Sequence, residues 1–292
     1  MVMRRSGGLS VKAVYIVDEM INILILAVFT VVILFCTYVY IDSGRLEREA
    51  DVSRYTQYKP TQKEHLTFTQ LCSLNPDVFG WITLEDTGVD YPLVQGRDNA
   101  EYVNRTPEKT FSLSGSIFLD YRNSRDLTDK VSIIYGHHME KDRLFGSFDK
   151  FEDAGYFEEH QHGSIVLDDM QHSLDIFAYL TADGYDTSVY DPYISEEDFP
   201  TWIGRIMDIA ITKSHAPDED ERVVLLSTCA NMETNQRLIL AGVLGEGKAL
   251  PDTAPEEEGV VYIWIPVLIT VGGAVGLALL IVYRKRKNKK VK

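Results

Sequence analysis

The sequence predicts a mainly β fold. About eight short strands form an outer domain, closed as a barrel or stacked as a sandwich, between two transmembrane helices. Three observations carry this. Short apolar, β-branched runs recur between residues 80 and 244, bounded by turn residues. One longer stretch, residues 198–212, has helical spacing instead. Two uncharged apolar runs, 20–41 and 260–283, stand at the two ends.

Each end run exceeds the roughly 20 residues that a helix needs to cross a hydrocarbon core of about 30 Å. Pro266, Gly272, Gly273 and Gly276 in the second run are tolerated in membrane helices. A cleaved signal peptide is the rival reading of the first run. That run is longer than a signal core, and no small-x-small site follows it, so an uncleaved anchor is expected. Arg4, Arg5 and Lys12 precede the first span, and seven basic residues follow the second. By the positive-inside rule both termini are cytoplasmic and the middle of the chain is extracellular. The expected order is a tail (1–19), a span (20–41), a spacer (42–65), a folded domain (66–247), a linker (248–259), a span (260–283) and a basic tail (284–292).

Net charge is −15, and residues 42–259 hold 19 Lys and Arg against 42 Asp and Glu. So acidic an exterior excludes a nucleic-acid partner, because phosphate binding needs a basic surface. Of the three cysteines, Cys36 lies in the first span and Cys72 and Cys229 lie outside. Two cysteines do not make a disulfide scaffold, although a single Cys72–Cys229 bridge stays open.

Taken in order, residues 42–58 are dense in charge, with only Leu46, Ala50 and Tyr55 apolar enough to pack, and read as a solvated spacer. A short helix follows over 68–74. Strands are expected at 80–84, 89–94, 115–119, 131–135, 164–167, 173–179, 223–228 and 237–244. Pro92 assigns the second to an edge or a bulge. Phe145, Phe148 and Phe151, three apart, suggest a short helix on the sheet, and Asp168-Asp169 a hairpin turn. Phe199, Trp202, Ile203, Ile206, Met207 and Ala210 form the core-facing stripe of the long helix, which opens near Asp198 because Pro200 is costly beyond a first turn. The linker Pro251-Asp-Thr-Ala-Pro-Glu-Glu-Glu leads into the second span.

Three groups could carry chemistry. Tyr135-Gly-His-His-Met139 follows the fourth strand, and adjacent side chains on extended backbone point opposite ways, so at most one histidine faces a given site. Ser227-Thr-Cys229 ends an apolar strand; taken alone, its thiol reads as a packed small residue or as a nucleophile that needs a cationic or basic neighbour. Arg237 opens the next strand. If the two strands pair, the loop 230–236 places Arg237 and Cys229 at one sheet end, where a permanent cation can stabilise an oxyanion. Cys, His and Arg together are the parts of a covalent acyl-transfer site. His138, His160, His162 and His172 read as solvated. The carboxylates show no calcium-loop spacing, so no metal and no cofactor is expected.

These motifs resemble the sortases, membrane-anchored transpeptidases of Gram-positive bacteria, over residues 71–244. Asn75-Pro-Asp-Val-Phe-Gly-Trp-Ile is similar to the family's opening segment. Val89-Asp-Tyr-Pro-Leu-Val-Gln-Gly-Arg-Asp-Asn99 and Gly115-Ser-Ile-Phe-Leu-Asp-Tyr-Arg-Asn123 are similar to class B members, as is the helix inserted between the sixth and seventh strands. Leu225-Leu-Ser-Thr-Cys229 resembles the nucleophile motif Thr-Leu-x-Thr-Cys, with Leu225 in place of the first Thr. The resemblance implies an eight-stranded sortase-type β-barrel. It also implies Cys229 as nucleophile, Arg237 as oxyanion stabiliser and His137 as the proton-transfer residue. Thr228, next to the nucleophile, and Asn104 are the implied substrate-binding residues.

The implied partners are secreted proteins with a C-terminal sorting signal, and an amine acceptor. That acceptor is a peptidoglycan cross-bridge or, as the alternative, a pilin lysine. The C-terminal span departs from the class B pattern and is more typical of class C sortases, which polymerise pilins. Their N-terminal lid, with an Asp-Pro-aromatic motif, is not found before Leu71; Asp191-Pro-Tyr193 has those letters but reads as a turn. Two other readings stay open: a double-pass membrane protein whose outer domain only binds a partner, and a secreted cysteine peptidase that uses water as acceptor.

Overall fold

Eight strands close on themselves in the computed structural model, which describes residues 11–60, 65–229 and 235–250. They are β1 (Val78–Leu84), β2 (Asp90–Val94), β3 (Ile117–Leu119), β4 (Val131–Tyr135), β5 (His162–Leu167), β6 (Met170–Asp183), β8 (Arg222–Cys229) and β9 (Gln236–Ala249). The order is β5-β1-β2-β3-β4-β8-β9-β6, and a β5–β6 pairing completes the ring. Closure leaves these strands no free edge, which settles barrel against sandwich. A ninth strand, β7 (Ala210–Lys213), pairs with β6 from outside the ring. β2–β3 and β4–β8 are parallel and the other pairs antiparallel.

Alternation along the strands builds two apolar layers. Ile134, Val224, Leu226, Leu238, Leu240 and Ile176 belong to the barrel core, with Trp81, Tyr91 and the Phe145–Phe148–Phe151 series. Their neighbours Val131, Ile133, Val223, Leu225, Ile239 and Ala241 belong to a second layer, covered by the long helix α4 (Phe199–Ile209) through Phe199, Trp202, Ile203 and Ile206. β8 is therefore buried on both faces. That is why it reads as a continuous apolar run rather than an alternating one.

Several expectations need correction. The long helix ends at Ile209, and the chain then becomes β7, where Ala210, Ile211 and Thr212 alternate in exposure. Pro92 lies neither on an edge nor in a bulge: β2 is internal and Pro92 faces Trp81. The proline is accommodated because β3 pairs only with Leu93 and Val94. The phenylalanines spaced three apart lead into a 3₁₀ turn (Phe148–Glu152) and the short helix α3 (Ala154–Glu159), which suits a period of three better than an α-helix does. The Asp168-Asp169 hairpin has both residues at positive φ (43° and 68°), the geometry of a two-residue type I′ turn.

The largest difference concerns the spacer. The helix α1 (Val11–Glu49) is followed by 3₁₀ turns at Val52–Arg54 and Thr56–Tyr58, and this segment packs on the barrel. Tyr55 is 2% exposed and joins the barrel core, tilted against Tyr91. Tyr91 Oη donates to the Ala50 carbonyl at 2.7 Å, Arg143 pairs with Asp51 at 2.8 Å, and Arg54 pairs with Glu108. Charge density hid a segment that one aromatic and three polar ties hold in place. The short helix α2 (His65–Leu74) follows. Within α1, Tyr15–Gly44 is long and apolar enough to cross a membrane. The second apolar run, 260–283, lies outside the described residues.

Candidate active site

Strand register brings the three predicted catalytic positions to one end of the barrel. β4 and β8 run in parallel, with Tyr135 opposite Ser227 as their last pair. Gly136 N–H still donates to the Ser227 carbonyl at 3.1 Å, so the ladder continues one step further. His137 and Cys229 each lie two residues beyond that pair. On the other side β9 runs antiparallel, and Cys229 stands directly opposite Arg237. Tyr135, Ser227 and Ile239 are on the outer face of their strands, and His137 and Arg237 lie two residues from Tyr135 and Ile239. Residues 230–234 of the connecting loop lie outside the described residues.

His137 is half-buried and fixed at three points. Gly136 precedes it because a Cβ there would meet the Phe145 ring at 2.8 Å. Phe145 is itself buried and stacked on Phe148. Phe145 N–H donates to the His137 carbonyl at 3.1 Å, and the ring Nε2 lies 2.7 Å from the Val103 carbonyl. His138 turns the other way, 3.8 Å from Asp149. The remaining histidines read as solvated have partners. His160 stacks on Tyr156, His162 contacts Asp175 at 2.9 Å, and His172 Nδ1 lies 3.0 Å from the Gly245 carbonyl.

Arg237 is half-buried and has no carboxylate partner among the described residues. Its Nε lies over Gly184, where a Cβ would approach to 2.8 Å. Asn235 next to it is held by Asp183 Oδ1 at 2.8 Å. Thr228 shares the parity of Val224 and Leu226, which face the barrel core. It is 0% exposed, its Oγ1 has no hydrogen-bond partner among the described residues, and it reaches no open surface there. Asn104 is exposed on the loop 102–116, one residue from the carbonyl that holds His137.

Further groups, several of them within the motifs quoted above but given no role there, support this end of the barrel. Tyr190 Oη and Ser227 Oγ hydrogen-bond at 2.8 Å in the buried layer behind it, and Tyr135 stacks on Tyr190. Tyr135 Oη donates to Asp120, a fully buried carboxylate held by both Arg122 Nε (2.9 Å) and Nη2 (2.8 Å) and by Asn99. Burial alone would raise the Asp120 pKa, but these donors outweigh it and hold the group below its ordinary value. Burial pushes Tyr135 well above the ordinary tyrosine pKa, with Asp120 adding to the effect, so Tyr135 stays a neutral donor. Their supporting contacts cannot be read from spacing. Val103 acts through its backbone, and the tyrosines become visible only through tertiary contact.

Leu225 is 0% exposed in the layer under α4, so its side chain packs away from the reacting end. Cys72 is a free thiol on α2, which leaves the Cys72–Cys229 bridge unmade, and burial pushes its pKa up. Asp191 Oδ1 accepts from Tyr193 N–H at 2.9 Å, which makes Asp191-Pro-Tyr193 a turn. Among the described residues, no group of three His, Cys, Asp or Glu could hold a metal.

A sortase-domain family model matches residues 82–244. Sortase B of Listeria monocytogenes is 31% identical over 182 residues, covering 60% of this chain and 72% of that protein. Two solved structures resemble the barrel. A class B sortase of Streptococcus pyogenes involved in pilus biogenesis is 36% identical, with a TM-score of 0.55, over 61% of this chain and 97% of its own. Sortase B from the type II pilus of Streptococcus pneumoniae is 38% identical, with a TM-score of 0.53, over 61% and 98%.

Proposed function

Because the chain belongs to the sortase family, with class B members among its relatives, we propose that it is a cysteine transpeptidase with Cys229, His137 and Arg237 as its catalytic residues. The supporting observation is the register: Cys229 opposite Arg237, and two steps beyond the parallel Tyr135–Ser227 pair that leads to His137. The thiolate attacks the backbone carbonyl of a sorting motif near the C-terminus of a secreted protein. Arg237 stabilises the oxyanion of the tetrahedral intermediate. His137 gives a proton to the leaving amine, and the thioacyl enzyme forms as the C–N bond breaks. A second amine then attacks the thioester, loses its proton to His137 and releases the thiolate. Asn104, exposed on the loop that holds His137, contacts the sorting motif.

The acceptor in the first reading is an amine of the peptidoglycan cross-bridge. A second reading, a pilin lysine, has specific support. The two pilus-associated class B structures are 36% and 38% identical to this chain, against 31% for the Listeria sortase B. The domain order given by the sequence places the barrel outside the cell, tethered at 20–41 and 260–283 with both termini cytoplasmic. The apolar helix Tyr15–Gly44 supports the first tether. The test is a ligation screen of the detergent-solubilised chain, with sorting peptides as donors and cross-bridge peptides or pilin-lysine peptides as acceptors. Ligation to one acceptor class identifies the branch. Hydrolysis at equal rate with and without amine would replace the transpeptidase with a peptidase.

A further inference from the structure

We propose that the Val103 carbonyl is a positioning group that keeps His137 protonated at Nε2, so that Nδ1 is the nitrogen that moves the proton, and that Gly115 is the positioning residue that lets this carbonyl stand there. The proton-transfer step rests on the transpeptidase reading above; the geometry does not.

A carbonyl oxygen only accepts, so the imidazole nitrogen 2.7 Å from Val103 O carries its hydrogen whether the ring is neutral or charged. A neutral imidazole has one N–H, which leaves the lone pair on Nδ1. The step then balances. Nδ1 of the imidazolium gives its proton to the leaving nitrogen as the C–N bond breaks, and the neutral ring keeps Nε2–H. In the second half Nδ1 takes a proton from the attacking amine nitrogen as the C–S bond breaks and the thiolate leaves. Val103 O accepts from Nε2–H throughout, which holds the ring orientation through both transfers.

The carbonyl's position is determined within the loop 102–116. Tyr102 is fully buried; its Oη accepts from Asn75 and donates to Asp77, and its carbonyl accepts from Ser116 N–H. Gly115 lies against this anchor at φ +62°, and a Cβ there would stand 2.3 Å from Val103 O and 2.8 Å from Tyr102 O. Both obstacles are backbone atoms, so no flexible side chain can yield. Bringing the closer contact from 2.3 Å to the 3.4 Å of an ordinary contact requires a shift of about 1.1 Å. That exceeds the width of the 2.7–3.2 Å range over which an N–H···O bond is kept. Any L-residue at 115 therefore disturbs the His137 bond through Val103.

The experiment uses the full chain in detergent micelles, labelled with ¹⁵N-histidine and ¹³C-carbonyl valine. We expect a coupling across the hydrogen bond between His137 Nε2 and the Val103 carbonyl. In Gly115→Ala the coupling is lost, Nε2–H exchanges with water at least about tenfold faster, and kcat falls by about tenfold with KM within about twofold. A native His137 with a bare Nε2, or a folded Gly115→Ala that keeps the coupling, overturns the proposal. If Gly115→Ala does not fold, the native coupling alone decides. A chain that shows the coupling but ligates no peptide removes the transpeptidase reading and leaves the His137 assignment standing.

Discussion

Tyr55→Ala tests whether the segment after the apolar helix is part of the folded barrel domain. Tyr55 is 2% exposed, packs in the barrel core and lies 6.2 Å from the Tyr91 ring. Tyr91 in turn donates to the Ala50 carbonyl and accepts from Leu144 N–H at 3.2 Å. Truncating a buried aromatic to alanine costs about 3–5 kcal/mol. In a domain of this size each kcal/mol moves Tm by about 2–4 °C, so a fall of roughly 6–20 °C is expected. Near-UV circular dichroism of the full chain in detergent reads the transition, with Tyr185→Ala as control because Tyr185 is 86% exposed. A Tyr55→Ala shift below about 2 °C, equal to the control, would refute the packing and return residues 50–60 to the status of a solvated spacer.

Leu225→Thr restores the usual residue of the nucleophile motif but puts an unpaired hydroxyl in the apolar layer under α4. It should cost about 2–4 kcal/mol in urea unfolding without raising kcat/KM, and a more stable or a faster variant would contradict the account. Asp120→Asn leaves Arg122 without its charge partner and should destabilise by about 3 kcal/mol; an unchanged urea midpoint would count against the network. Asp51, Asp77, Asp120 and Asp186 all have pKa values held below the ordinary 3.8 by their donors and cationic neighbours. The unfolded chain therefore binds more protons at acid pH. This stability is fully present above about pH 5 and is lost as pH falls through the lowered folded-state values. Urea midpoints from pH 7 to 2 should show a plateau and then a decline, and a rise on acidification would contradict it.

Much of this was legible in the chain. Strand positions were readable because alternation and turn residues are local signals, as at Asp168-Asp169. The candidate site was nameable because Cys229, His137 and Arg237 are chemically capable types at strand ends, and the strand register brings all three positions to one end of the barrel. What failed to read was tertiary in origin. Tyr55 and Ala50 lack a periodic apolar face, yet a single aromatic in the core suffices to dock the segment. β7 follows α4 without a break because Ala210 and Ile211 fit either period over so short a run. Pro92 suggested an edge because one sequence cannot reveal that β3 stops short of it. The Val103 carbonyl and the contact of Tyr190 with Ser227 carried no signal, since any residue offers a carbonyl and a tyrosine reads the same in any core.

The central claim, that Cys229 forms a thioacyl bond to a sorting peptide, is tested most directly by intact-mass measurement of the full chain incubated with sorting peptides in the absence of amine. The account predicts an adduct with the mass of the acyl fragment, located on Cys229, discharged by added amine into a ligated peptide and absent in Cys229→Ala. An adduct that forms equally in Cys229→Ala, or ligation that proceeds without Cys229, would contradict it.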